Sequence, residues 1–146
     1  KNWKISDFGF SIRSGSFIDD INVGTPLYMP LESLSRSYYS VKTDIFALGV
    51  MLYELVHGRT PWECECEVEL MKKLSNGEQL KMERVLTNFK LRDFILKSCQ
   101  LNETKRLSKQ ELEAYDFGFN YPGNTNRIVE DLFAPSCSYR VDEKPK

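Results

Sequence analysis

Along the chain, apolar residues gather into a few helix-length stretches separated by long intervals rich in hydroxyls and turn formers. The densest stretch, IFALGVMLYELV at 45 to 56, has hydrophobic residues on nearly every side at helical spacing. That is the pattern of a helix buried at the centre of a domain. The spacing predicts a helix over 42 to 57, with Leu48, Met51, Leu52 and Leu55 sharing one face and among its most buried side chains. Ser40 or Thr43 is suited to cap its start, and Asp44 stands in the first turn, where the helix dipole favours an acid. His57 and Gly58 mark its end and Pro61 follows. His57 reads as a last-turn residue, not as a ligand or base.

Three more helices follow. One lies near 64 to 74 (CECEVELMKKL) and stops at Asn76-Gly77; another covers 87 to 100 (TNFKLRDFILKSCQ), with Phe89, Phe94, Ile95 and Leu96 largely on one side. The last is short and opens with Ser108-Lys109-Gln110-Glu111, a capping box in which Ser and Glu side chains each satisfy an orphan backbone donor. Residues 1 to 6 read as a short strand, and 10 to 40, without sustained period, as a long loop. From Tyr115 onward, Tyr, Pro, Gly and Asn make an extended tail, partly ordered at best. The pattern is that of a mainly α domain.

A chain of 146 residues is long enough for one domain with a real core. With 20 basic and 21 acidic residues the net charge is -1 and nothing basic is clustered, which argues against a nucleic-acid or membrane-surface partner. The cysteines at 64, 66, 99 and 137, with the lone His57, have no zinc-site spacing and read as free thiols. The chain opens on no signal-peptide pattern, and the longest apolar run is too short for a membrane span and carries Glu54. Both point to an intracellular, cytoplasmic protein.

The tetrapeptide DFGF occurs twice, at 7 to 10 and at 116 to 119. In an Asp-Phe-Gly run the carboxylate can hold a metal ion and the glycine can let the backbone turn, so either copy is a candidate phosphoryl-transfer element. Context separates them. The first follows the expected strand and opens a long loop leading to VGTPLYMPLES at 23 to 33 and then to the apolar helix; the second follows a helix ending at Ala114 and reads as aromatic packing in the tail.

From Lys1 to about Tyr115 this order resembles a protein kinase of the serine/threonine type, in its C-terminal part. The resemblance implies an incomplete kinase C-terminal lobe over 1 to 114, helices packed around a central buried helix with a long activation-segment loop, and a tail over 115 to 146. Asp7 would bind the Mg²⁺ that bridges nucleotide phosphates, Phe8 would pack inside to set the active or inactive state, and Gly9 would let the backbone switch. Gly24, Thr25 and Pro26 stand in the segment that positions a substrate hydroxyl. Glu32, closing Pro30-Leu31-Glu32 where Ala-Pro-Glu is expected, would pair with Arg106 of LNETKRLS; Asp44 would brace the catalytic loop. Phe46 stands where the family's helix commonly has Trp. Ser11, Ser14 and Ser16 are candidate phosphosites, since a phosphate adds nearly two negative charges for Arg13 or an upstream arginine to pair with. Their alternative is that of loop-forming polar residues.

No G-x-G-x-x-G, strand V-A-I-K or H-R-D-L-x-x-x-N loop is present. The expectation is therefore a piece of an ATP- and Mg²⁺-dependent kinase acting on protein Ser/Thr. Its partner would be a missing N-terminal lobe, and alone it would be inactive. Two other readings stay open: a pseudokinase-type regulatory or scaffolding module, and a small helical interaction domain whose kinase-like pieces are coincidental. The last requires Glu32 and Arg106 to lie apart.

Overall fold

The computed structural model describes residues 4–17, 24–83, 86 and 88–117. The expectations for residues 1–3, for the middle of the long loop, for Cys137 and for most of the tail lie outside them. Within the described residues the fold is helix-rich with one two-stranded sheet.

Helix ends follow their local chemistry. The long helix, Val41–His57, starts where the Lys42 amide donates to Ser40 Oγ at 3.2 Å and the Ser40 amide donates to Thr43 Oγ1 at 3.1 Å. Ser40 is thus the cap, and Thr43 completes the box. Gly58, at φ 78, ends the helix in the left-handed conformation that costs glycine little. His57 is buried, its ring stacked 3.9 Å from that of Tyr53 and its Nδ1 3.0 Å from the Tyr53 carbonyl. In the short helix Lys109–Glu113, Ser108 and Glu111 make the reciprocal box at 3.2 and 2.7 Å.

In chain order the elements are β1 (Ser16–Phe17), a 3-10 turn (Pro26–Tyr28), α1 (Leu31–Arg36), β2 (Tyr38–Tyr39), α2 (Val41–His57), α3 (Glu67–Ser75), α4 (Phe89–Ser98), a second 3-10 turn (Glu103–Lys105) and α5 (Lys109–Glu113). Two sequence expectations change. The interval 10 to 40 is not all loop: α1 lies in it, too short to show a period, acidic at its start (Glu32), basic at its end (Arg36), and stopped by Ser37 at φ 50. Residues 4–6 are not a strand, because no described segment runs beside them to share a ladder of hydrogen bonds. The strands that do form, β1 and β2, pair antiparallel with Ser16 opposite Tyr39 and Phe17 opposite Tyr38.

Two hydrophobic clusters make the core. One gathers Phe46, Val50, Tyr53, Trp62, Leu70, Leu74, Ile95 and Cys99; the other gathers Ile45, Phe94, Leu107 and Leu112. Since α2 feeds both, it runs between them. Its buried face is not the one expected. Ile45, Phe46, Gly49, Val50, Tyr53 and His57 are buried, Leu48 and Leu52 are only partly covered, and Met51 and Leu55 are 44% and 75% exposed. An all-round apolar helix has no direction in its hydrophobicity, so close approach decides. A Cβ on Gly49 would lie 2.7 Å from Ser98 Cβ and 2.8 Å from Cys99 Sγ, so this is where α4 sits against α2. Phe89, expected with Phe94 and Ile95, is 73% exposed because it opens α4 before that face meets α2. Burial pushes the Cys99 thiol up to about 12, which makes it an inert packing group. Residues 115–117, the expected start of the tail, pack on α4: the Phe94, Tyr115 and Phe117 rings lie 4.8 to 5.0 Å apart, and Asp116 pairs with Lys90.

Candidate functional site

The first Asp-Phe-Gly lies on an open stretch. The Ser11 amide donates to the Phe8 carbonyl at 3.0 Å, closing a turn, and Asp7 enters it with φ 64. A non-glycine residue held in the left-handed region costs free energy, and such strain gathers at functional sites. The unusual backbone belongs to Asp7; Gly9 has φ outside that region and ordinary room for a Cβ, 3.5 Å from Asp7 Oδ1. Phe8 is 47% exposed, not packed inside, because no described element covers it.

Asp7 and Asp44 line one cleft of about 380 Å³ with Ser11, Ser14, Ser40 and Thr43. Asp44 keeps an exposed surface in the first turn of α2, yet crowding by neighbouring protein atoms desolvates its carboxyl and raises it above the ordinary value. The cleft offers hard oxygen donors, which fit Mg²⁺ held by one or two carboxylates together with substrate phosphates. Among the described residues no group of three or more His, Cys, Asp or Glu could hold a metal ion by itself. Ser14 Oγ accepts from the Val41 amide at 3.2 Å, linking the loop to the start of α2; Ser16 pairs in β1, Ser11 is exposed, and Arg13 makes no ion pair among the described residues.

Gly24, Thr25 and Pro26 enter the first 3-10 turn. Gly24 has φ 115, a backbone conformation that calls for glycine; a Cβ there would lie 2.8 Å from the mobile end of the Met29 side chain, its Cε. Thr25 is exposed, its carbonyl accepting from the Tyr28 amide at 3.1 Å. Tyr28, whose role the sequence left open, donates its hydroxyl to Glu54 Oε2 at 2.6 Å. The signal for it was the single charge inside the apolar run 45 to 56.

The structure brings Glu32 and Arg106 together. Arg106 Nη1 lies 2.6 Å from Glu32 Oε1, with an Arg106 side chain that is 0% exposed. Its remaining donors reach the Lys42 carbonyl at 3.0 Å and the Gln100 carbonyl at 3.1 Å, and its guanidinium stands 4.9 Å from the centre of the Phe46 ring. Phe46 in turn stacks on Trp62. The position occupied by Phe46 therefore supplies a flat floor for a cation.

Comparison with known proteins gives the family. The family model of the protein kinase domain matches residues 1–117, so the chain belongs to the protein kinase domain family. It is 33% identical over 134 residues to the serine/threonine-protein kinase apg-1 of Neurospora crassa, covering 88% of this chain and 13% of that protein. It is 42% identical over 77 residues to the serine/threonine-protein kinase atg1 of Aspergillus oryzae, and 36% identical over 78 residues to ATG1 of Beauveria bassiana. Those matches cover 51% and 53% of this chain and 8% of each relative. The chain thus spans 13% or less of the length of these relatives. The family match, with Glu32 paired to Arg106, removes the reading of a helical domain with coincidental motifs. Among the described residues no helix is long and apolar enough to cross a membrane.

Proposed function

We propose that this chain is the part of an ATP-dependent serine/threonine protein kinase that carries the metal-binding aspartate, the activation segment and the substrate-docking lobe. Residues 1–114 form the partial kinase domain and 115–146 its tail. The observation that carries the reading is Asp7: a carboxylate in a left-handed backbone on a cleft shared with Asp44, upstream of the turn that presents Thr25. Asp7 would hold Mg²⁺, which supplies charge neutralisation for the transferring phosphoryl group. Thr25, with Gly24 and Pro26, positions the substrate hydroxyl. Glu32 and Arg106 hold the end of the activation segment onto the lobe, Asp44 braces the catalytic loop of the complete domain, and Phe8 and Gly9 serve as its switch.

The phosphate-covering loop, the strand lysine and the catalytic base belong to motifs that this chain lacks. The partner is an N-terminal kinase lobe, and the site of action is intracellular. The test is phosphate transfer from ATP to protein Ser/Thr by the full parent protein and by this chain alone. Transfer by the parent only, dependent on Asp7, is expected; transfer by the isolated chain overturns the account of the missing parts, and an inactive parent favours the pseudokinase reading.

A further inference from the structure

The sequence allows two roles for Ser14, phosphosite or loop-forming residue, and its contacts point to a third. As the first residue of α2, Val41 has no acceptor for its amide within the helix. Ser14 Oγ, 27 residues away in the chain, supplies one at 3.2 Å. The next residue continues the attachment: the Gly15 amide donates to the Tyr39 carbonyl at 2.9 Å, and Gly15 turns at φ 77, which glycine adopts freely. β1 then pairs with β2, and the Phe17 ring lies 5.0 Å from that of Tyr38. A two-stranded ribbon this short is marginal alone. Together these contacts make a strap that holds residues 14–17 on residues 38–41, at the start of α2.

The surroundings of Ser14 do not suit a phosphate. Ser14 lines the cleft of Asp7 and Asp44, and no Lys or Arg among the described residues lines it with them. A dianion on Ser14 would meet two carboxyl groups and no cation, the arrangement in which an added phosphate disrupts a segment and does not order it. The hydroxyl oxygen already orders this one.

We propose that Ser14 is a positioning residue: its hydroxyl oxygen, as acceptor for the Val41 amide, anchors the strap, so that residues 14–17 are held on α2 with no phosphate on Ser14. The proposal rests on the kinase reading above for its effect on phosphate transfer, because the strap steadies the stretch that carries Asp7. Ser14 touches no reacting atom in this role.

Asparagine at position 14 separates the roles, since it keeps an acceptor and has no hydroxyl to phosphorylate. In the full parent protein, Ser14→Ala is expected to speed exchange of the Val41 and Gly15 amides about tenfold, the size of one net hydrogen bond, and Ser14→Asn to restore most of that protection. With ATP and a Ser-containing peptide, Ser14→Ala should lower kcat by up to about tenfold, and Ser14→Asn should recover most of the loss. Unchanged Val41 exchange in Ser14→Ala overturns the strap whether or not the parent transfers phosphate. Faster exchange with an unchanged kcat overturns the positioning role. A phosphate on Ser14 in the active parent, seen by mass spectrometry, or an Ser14→Asn variant that is protected yet as slow as Ser14→Ala, makes Ser14 a phosphosite and overturns the proposal. Faster exchange in a parent that transfers no phosphate keeps the strap and overturns the kinase reading.

Discussion

Arg106 is a fully buried cation whose three nitrogens each find acceptors on other elements: a carboxylate on α1, a carbonyl in the first turn of α2 and another after α4. Removing it strands Glu32, whose side chain is only 15% exposed, without a counter-charge. Arg106→Ala should therefore cost about 3 to 5 kcal/mol, read as a drop in the urea midpoint at constant slope. A loss within error would mean that Glu32 reaches water freely. Asp44 is the opposite case. Its folded carboxyl is raised above the unfolded value, so its contribution to stability is full at acid pH and is lost as pH climbs from about 4 through the raised value. Asp44→Asn should then raise the Tm at pH 7 and leave it unchanged near pH 3; equal effects at both pH values would contradict the desolvation account. The pairing of Glu32 with Arg106 was legible through the resemblance of the motif order to that of a protein kinase. The Tyr28 bond to Glu54 was not, because one charge in an apolar run names no partner.

Among the elements, helix ends were the most legible feature, since caps are local chemistry: Ser40, Gly58, Ser108 and Asn76-Gly77 each stand where their side chains or backbone freedom require. The buried face of α2 was illegible for the reason that made the helix conspicuous. Leucines and methionine outweigh Gly49 on any hydrophobicity scale, yet Gly49 is where another helix can come close. Gly49→Ala should cost about 1 to 3 kcal/mol by pushing α4 outward, although alanine favours the helix intrinsically. A variant as stable as the parent would show that Ser98 and Cys99 can give way. Six residues of α1 and two-residue strands fall below what periodicity can detect; packing of Ser33 and Leu34 holds the former, and β1 needs β2.

For the whole molecule, exposed apolar groups concentrate on the Asp-Phe-Gly stretch (Ile5, Phe8, Phe10, Ile12) and on the Met51 and Leu55 side of α2. The same stretch holds the strained Asp7, so the feature most open to solvent is also the one with a conformation that needs a reason. The measurement that bears most directly on that reason is phosphate transfer by the full parent protein carrying Asp7→Asn. If Asp7 holds the metal, transfer should fall about a thousandfold, the several kcal/mol that a metal ion contributes to charge stabilisation, while the Tm stays level or rises, because asparagine tolerates φ 64 at least as well as aspartate does. Transfer within a few-fold of the unaltered protein would contradict the assignment of Asp7 as the metal-binding residue.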